Sequence, residues 1–163
     1  MSETTIAGYV PGAIGRIVEL HAAYYSQDWQ FGLSFEAKVA TGLAEFLQRF
    51  DPERDRFWTV SLEGRVEGSL AIDGIDAGGD GAHLRWFILS DALRGQGLGK
   101  RLIREAVGFC SSKAYARITL STFAGLDPAR HLYEKFGFRL AEERRGNQWG
   151  REMTEQRFVL DLS

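Results

Sequence analysis

The chain has 163 residues, 44% hydrophobic and 26% charged, with 20 Lys plus Arg against 22 Asp plus Glu and a formal net charge of -2. A chain of that length buries roughly 70% of its extended surface, so one domain over 1–163 can form a core without disulfides or metals. The slightly acidic balance excludes a bulk-charge nucleic-acid binder, and no run approaches the ~20 apolar residues that span a membrane.

Thr5 to Tyr9 is predicted as a first strand, ended by Pro11-Gly12. From Ala13 to Tyr25, apolar residues recur at helical spacing through Ile14, Ile17, Val18, His21 and Tyr24 or Tyr25. The aromatic stretch from Ser26 to Gly32 reads as irregular. Ser34 is placed to cap a second helix with an apolar stripe through Phe35, Val39, Leu43 and Phe46, stopped at Asp51-Pro52. The period then falls from 3.6 to 2: Trp58, Val60 and Leu62 alternate with Thr59 and Ser61, turn at Glu63-Gly64-Arg65, and return from Val66 to Ile72 as a hairpin. Gly74, Gly78, Gly79 and Gly81 loosen the next connection. Ala82 to Ser90 is a strand with Ala82, Leu84, Trp86 and Ile88 expected on one face and His83, Arg85, Phe87 and Leu89 on the other. An amphipathic helix follows from Leu98 to Lys113, then a short strand from Arg117 to Ser121. Asp127 as N-cap with Pro128 at the first helical position opens another helix. Phe138 to Glu143 and Gln156 to Leu162 are the final strands. The order predicts a mixed α/β fold around one central sheet.

Met1-Ser2-Glu3-Thr4-Thr5 lacks a basic start and an apolar export segment. With one unpaired cysteine, Cys110, this predicts a cytoplasmic protein. Cys110 falls on an apolar helical face and reads as core, and the three histidines and one cysteine show no metal-ligand spacing.

The chemistry concentrates at Arg94-Gly95-Gln96-Gly97-Leu98-Gly99-Lys100, between a strand and a helix. Three glycines let backbone approach a ligand closely, and the helix start adds unpaired N–H donors and a positive dipole end suited to phosphate. Arg94, Lys100, Arg101 and Arg104 make the neighbourhood basic. A Walker A loop would need glycine at 94 and serine or threonine at 101, and a Rossmann fingerprint from Gly95 would need glycine at 100. Both fail, and a glycine-rich turn beside a solvated helix face is the alternative to a phosphate site.

Arg-x-x-Gly-x-Gly resembles the acyl-CoA signature of the GNAT superfamily of N-acetyltransferases. Ala129 to Phe138, with Leu132, Tyr133, Gly137 and Phe138, is similar to the family's second signature, and the two occur in the expected order. The resemblance covers roughly Phe57 to Leu162. Upstream, His21, Tyr24, Tyr25, Trp29 and Phe35-Glu36-Ala37 look like the acetyltransferase domain found fused to multiple-antibiotic-resistance-type regulators. The resemblance implies a mostly antiparallel central sheet flanked by helices and an acetyl-CoA-dependent transfer to an amine by direct attack in a ternary complex. Phe87 and Leu89 would pair by backbone with the pantetheine arm. Arg94, Gly95, Gln96, Gly97, Leu98, Gly99 and Lys100 would surround the pyrophosphate, and Tyr133 would protonate the departing thiolate. The family often places asparagine seven residues before this tyrosine, where Leu126 stands.

His83 lies where some members carry a catalytic glutamate and is a candidate base; a hydrogen-bonded structural histidine is the alternative. His21 and Glu36 are further candidates near the expected acceptor cleft. Tyr24, Tyr25, Trp29, Phe31 and the segment with Arg144, Arg145, Gln148 and Trp149 either line an acceptor site for a small-molecule or peptide amine or seal a homodimer or the core edge. A non-catalytic acyl-CoA sensor is the competing reading. No metal, nucleic acid or membrane partner is implied.

Overall fold

A computed structural model of the chain describes residues 3–162. Its elements run β1 (Thr4–Ala7), α1 (Ala13–Trp29), α2 (Leu33–Gln48), β2 (Arg56–Leu62), β3 (Arg65–Asp73), β4 (Ala82–Leu89), α3 (Leu98–Ser112), β5 (Arg117–Phe123), α4 (Asp127–Lys135), β6 (Arg139–Gly146) and β7 (Met153–Asp161). Among the described residues the strands form one seven-stranded sheet in the order β1-β2-β3-β4-β5-β7-β6. Every neighbouring pair is antiparallel except β4 with β5. Glu63 and Gly64, both at positive φ, make the two-residue turn between β2 and β3 that matches strand twist.

Helices cover both faces. Leu102, Ile103 and Ala106 of α3 and Tyr133 of α4 pack with Ile72, Leu84, Ile118, Leu120 and Phe158 on one side. Ile17 of α1 and Leu43 and Phe46 of α2 pack with Phe57 and Ala71 on the other. A further aromatic group, Phe31, Phe35 and Phe123 with Tyr25, Trp29 and Trp149 against it, closes the second face near the β6–β7 end.

Three local expectations change. Helix α1 runs past Tyr25 to Trp29, ending on Gln30 in left-handed backbone (φ 58), because Tyr25 and Trp29 both pack on Phe123. Helix α2 starts at Leu33 with Gly32 as N-cap and no side-chain cap, so Ser34 lies inside the first turn. Leu126, not Asp127, is the N-cap of α4.

The face assignment of β4 also changes. Between the pairs Ser69↔Ile88 and Ala71↔Arg85, one residue of β3 opposes two of β4, and Trp86 takes φ 48. This bulge breaks the period of two. Leu84, Phe87 and Leu89 therefore pack with the α3/α4 core, while Trp86 packs under α1 and α2.

Candidate functional site

Parallel pairing of β4 and β5 is confined to Ala82↔Ile118 and His83↔Thr119, after which the strands part. The gap opens a cleft of about 1470 Å3 whose walls come from both sheet faces. The Ser90 N–H donates back to the Glu67 carbonyl at 2.8 Å, toward β3. Backbone groups alternate sides along a strand, so Leu89 and Phe87 turn theirs away from β3, into the cleft.

At one end sits the glycine turn. Buried Leu93 anchors it, and the Ala92 N–H donates to Ser90 Oγ. Gly95 (φ 79) and Gly97 (φ 67) adopt left-handed backbone with open space where a side chain would be. Gly99 differs, being packed rather than strained: a Cβ there would lie 3.2 Å from Leu132 Cδ2 of α4, tighter than ordinary contact. The first intrahelical bond of α3 is Arg101 N–H to Gly97 O at 3.1 Å, so the N–H groups of residues 98–100 precede any intrahelical acceptor. Arg94, Gly95, Gly97, Leu98, Gly99 and Lys100 line the cleft. Gln96 instead turns its carboxamide to accept from Thr4 Oγ1 at 3.0 Å.

Sequence reasoning missed Lys135. The Lys100 side chain beside it, by close contact and then by charge, holds the Lys135 ammonium below the ordinary lysine range. Two adjacent ammonium groups beside a helix N-terminus mark a place that suits a polyanion. Nothing in the sequence pattern brings position 135 to position 100; the contact comes from docking α4 on α3.

In the middle, Tyr133 is 7% exposed, its ring among Phe87, Phe138 and Phe158. Burial, with a smaller contribution from the Tyr25 phenol, raises its pKa, so the hydroxyl keeps its proton throughout the physiological range. Leu126 also lines the cleft and offers only an apolar side chain there.

The far side is built by α1, α2, β4 and the β6–β7 connection: His21, Tyr24, Tyr25, Phe35, Lys38, Arg85, Trp86, Gln148 and Trp149 all face it. Lys38 Nζ donates to the Gln148 carbonyl at 2.9 Å, tying α2 to that connection. Arg85 lies 4.1 Å over the Trp86 ring and 2.9 Å from Asp73, which also takes a two-pronged contact from Arg49. Burial opposes ionisation of Asp73, but these hydrogen bonds outweigh it and hold the carboxyl below its ordinary range. His83 is a wall residue whose Nε2 stands 3.6 Å from Asp80.

Two expected acceptor residues stand elsewhere. Trp29 packs edge-on to Phe123 and over Gly125, with its indole N–H buried and without a partner among the described residues. Glu36 is exposed in the first turn of α2. Both are absent from the cleft wall among the described residues. Burial pushes the Cys110 thiol up to about 12, which leaves it inert as a nucleophile. Among the described residues no group of three or more His, Cys, Asp or Glu is arranged to hold a metal, and no helix is long and apolar enough to cross a membrane.

Residues 14–138 match the family model described as the acetyltransferase (GNAT) family. N-acetylaspartate synthetase of Xenopus tropicalis is 35% identical over 83 residues, which are 51% of this chain and 30% of that protein. A Bacillus subtilis protein provisionally named as the [ribosomal protein bS18]-alanine N-acetyltransferase is 35% identical over 96 residues, 52% of this chain and 62% of its own. The chain thus spans less than two thirds of either relative. Among solved structures, yncA of Salmonella typhimurium with its cofactor acetyl-CoA superposes with a TM-score of 0.74 at 16% identity, covering 98% of this chain and 94% of that one.

Proposed function

The chain belongs to the acetyltransferase (GNAT) family, and on that premise we propose that it transfers an acetyl group from acetyl-CoA to an amine by direct attack within a ternary complex. One observation carries the reading: a single cleft joins the glycine-turn N–H groups, the open edge of β4, the Tyr133 hydroxyl and an aromatic, polar far side. The residues present fit acetyl-CoA, since Gly95 and Gly97 leave room at the turn and the donors of residues 98–100 precede any intrahelical acceptor.

When bound, acetyl-CoA supplies an activated acyl carbon and a sulfur leaving group. The backbone around Gln96 to Lys100 and the Lys100–Lys135 pair bind the pyrophosphate end. Phe87 and Leu89 extend their free backbone groups to the pantetheine arm as an added strand would. Tyr133 holds a proton for the sulfur as it departs. Tyr24, Tyr25 and Trp149 orient the amine and exclude water, and His83, paired with Asp80, is the candidate to pass its proton to solvent. The relatives are named for acceptors as different as aspartate and a ribosomal alanine, so amino acids and peptides with free N-termini are the first acceptors to try.

Leu126 favours a second reading, a cleft that holds acyl-CoA without turnover. Calorimetry with acetyl-CoA, followed by thiol release with amino acids, peptides and arylalkylamines, separates the two. Binding with turnover supports the transferase, binding without turnover the sensor, and no binding removes both.

A further inference from the structure

Resting on the acetyltransferase reading, one residue of the far side goes beyond it. His21 is 6% exposed on α1, one turn before Tyr25, whose ring stacks on it at 6.2 Å. Its Nδ1 lies 2.8 Å from the Ile17 carbonyl. A carbonyl has no proton to give, so Nδ1 carries the ring proton and Nε2 is left as a bare lone pair. Nε2 has no hydrogen-bond partner among the described residues, and His21 is part of the cleft wall.

An imidazole lone pair in a cleft wall that meets no donor from the protein is open to one from outside it. Water or a ligand N–H or O–H would satisfy it. The proposed reaction brings an amine, whose N–H is a donor that a fixed lone pair can orient. We propose that His21 Nε2 is an acceptor-binding contact, receiving one N–H of the incoming primary amine and so aiming the nitrogen lone pair toward the acyl carbon. The contact needs no proton transfer to the ring. Burial agrees with that role, since it depresses the imidazole to about 4 and keeps Nε2 an acceptor at neutral pH. His83 and His21 then divide the work, the one near Asp80 and open to solvent, the other deep and fixed in tautomer.

Histidine-selective 15N NMR on the whole chain tests the geometry first. The expected spectrum has His21 protonated at Nδ1 and bare at Nε2, with the Nε2 resonance moving when L-aspartate, an alanine-initiated peptide or phenethylamine is added to protein loaded with CoA, and staying put with CoA alone. The opposite tautomer, or a resonance that none of the three amines moves, overturns the proposal. Kinetics then test the role, with His21→Phe keeping a ring and His21→Gln keeping an acceptor. His21→Phe should raise the amine KM about tenfold, the value of one buried hydrogen bond, and leave the acetyl-CoA Kd within about twofold; His21→Gln should recover part of the loss. An unchanged KM in His21→Phe overturns the assignment. Failure of wild-type protein to bind acetyl-CoA strikes the transferase reading instead and leaves the tautomer result standing.

Discussion

The Ser69 hydroxyl donates to the Trp86 carbonyl at 2.6 Å, and Trp86 holds left-handed backbone in mid-strand. Such a conformation costs a large side chain on the order of 1–3 kcal/mol and persists only when its surroundings enforce it. Ser69 is fully buried and reaches across from β3 to do so, while Arg85 stacks on the indole from the same strand. The bulge puts Phe87 and Leu89 in register with the cleft.

Ser69→Ala should therefore leave a carbonyl unsatisfied and loosen the bulge. The expected loss is about 1–2 kcal/mol in denaturant unfolding, with acetyl-CoA binding several times weaker by calorimetry. Normal affinity in a destabilised variant would separate the bulge from the cofactor site.

Gly97→Ala tests the turn. Open space surrounds the position, so the cost is conformational only, about 1 kcal/mol for a left-handed alanine. Because Gly97 is also the N-cap of α3, the N–H groups behind it should tilt and weaken acetyl-CoA binding about tenfold. Gly99→Ala meets Leu132 at 3.2 Å and should act on the packing of α4 against α3, visible as a lower Tm with a smaller change in Kd.

These positions also show what the sequence could reveal. The glycine turn was legible because its information is local: three glycines between a strand pattern and a helix pattern. The element order was legible for the same reason. The bulge at Trp86 was not, because an alternating run gives no sign that Ser69, seventeen residues earlier, will accommodate an extra residue. Helix α1 outran its expected end because the aromatics at Tyr25 and Trp29 are held by Phe123, far along the chain. The resemblance of their segments places Glu36 and Trp29 on the acceptor side, yet helix rotation turns one to solvent and packs the other over Gly125. Lys135 and the bare nitrogen of His21 emerge only from docking.

Tyr133→Phe should lower kcat by about a hundredfold, the typical worth of a positioned acid, without changing acetyl-CoA affinity. Its hydroxyl has no hydrogen-bond partner among the described residues, so stability at neutral pH should hardly move. Burial raises the pKa of both Tyr133 and Tyr25 above the ordinary 10.0. A raised folded pKa contributes stability that is complete below the unfolded value and lost as pH rises beyond it. Unfolding at alkaline pH should thus show a limb above pH 10 that Tyr133→Phe makes shallower.

The crowded pair Lys100 and Lys135 predicts a proton count. With its ammonium depressed by Lys100, Lys135 is partly neutral at alkaline pH. A bound pyrophosphate between them would restore the charge, so acetyl-CoA binding at alkaline pH below the ordinary lysine 10.5 should take up protons. Calorimetry in buffers of differing ionisation enthalpy reads this directly. Lys135→Met should abolish the uptake and weaken binding; uptake unchanged in that variant would place the coupled group elsewhere.

His21 predicts the acid side of the stability curve. Its imidazole falls from 6.5 in the unfolded chain to about 4 when folded, because burial disfavours the charged ring more than the Ile17 carbonyl favours it. The unfolded chain then binds the extra proton, so the stabilisation is complete above pH 6.5 and drains away as pH falls toward 4. Across that window it amounts to as much as about 3 kcal/mol. Asp73 behaves alike but later: its carboxyl is held below the ordinary 3.8, so its share is lost only under that pH. Denaturant unfolding from pH 7 to pH 4.5 should therefore decline in the wild type and run nearly flat in His21→Phe, whose ring cannot take a proton. Equal slopes in the two proteins would mean that the imidazole is solvated in the folded state, which the Ile17 contact and its place beneath Tyr25 argue against.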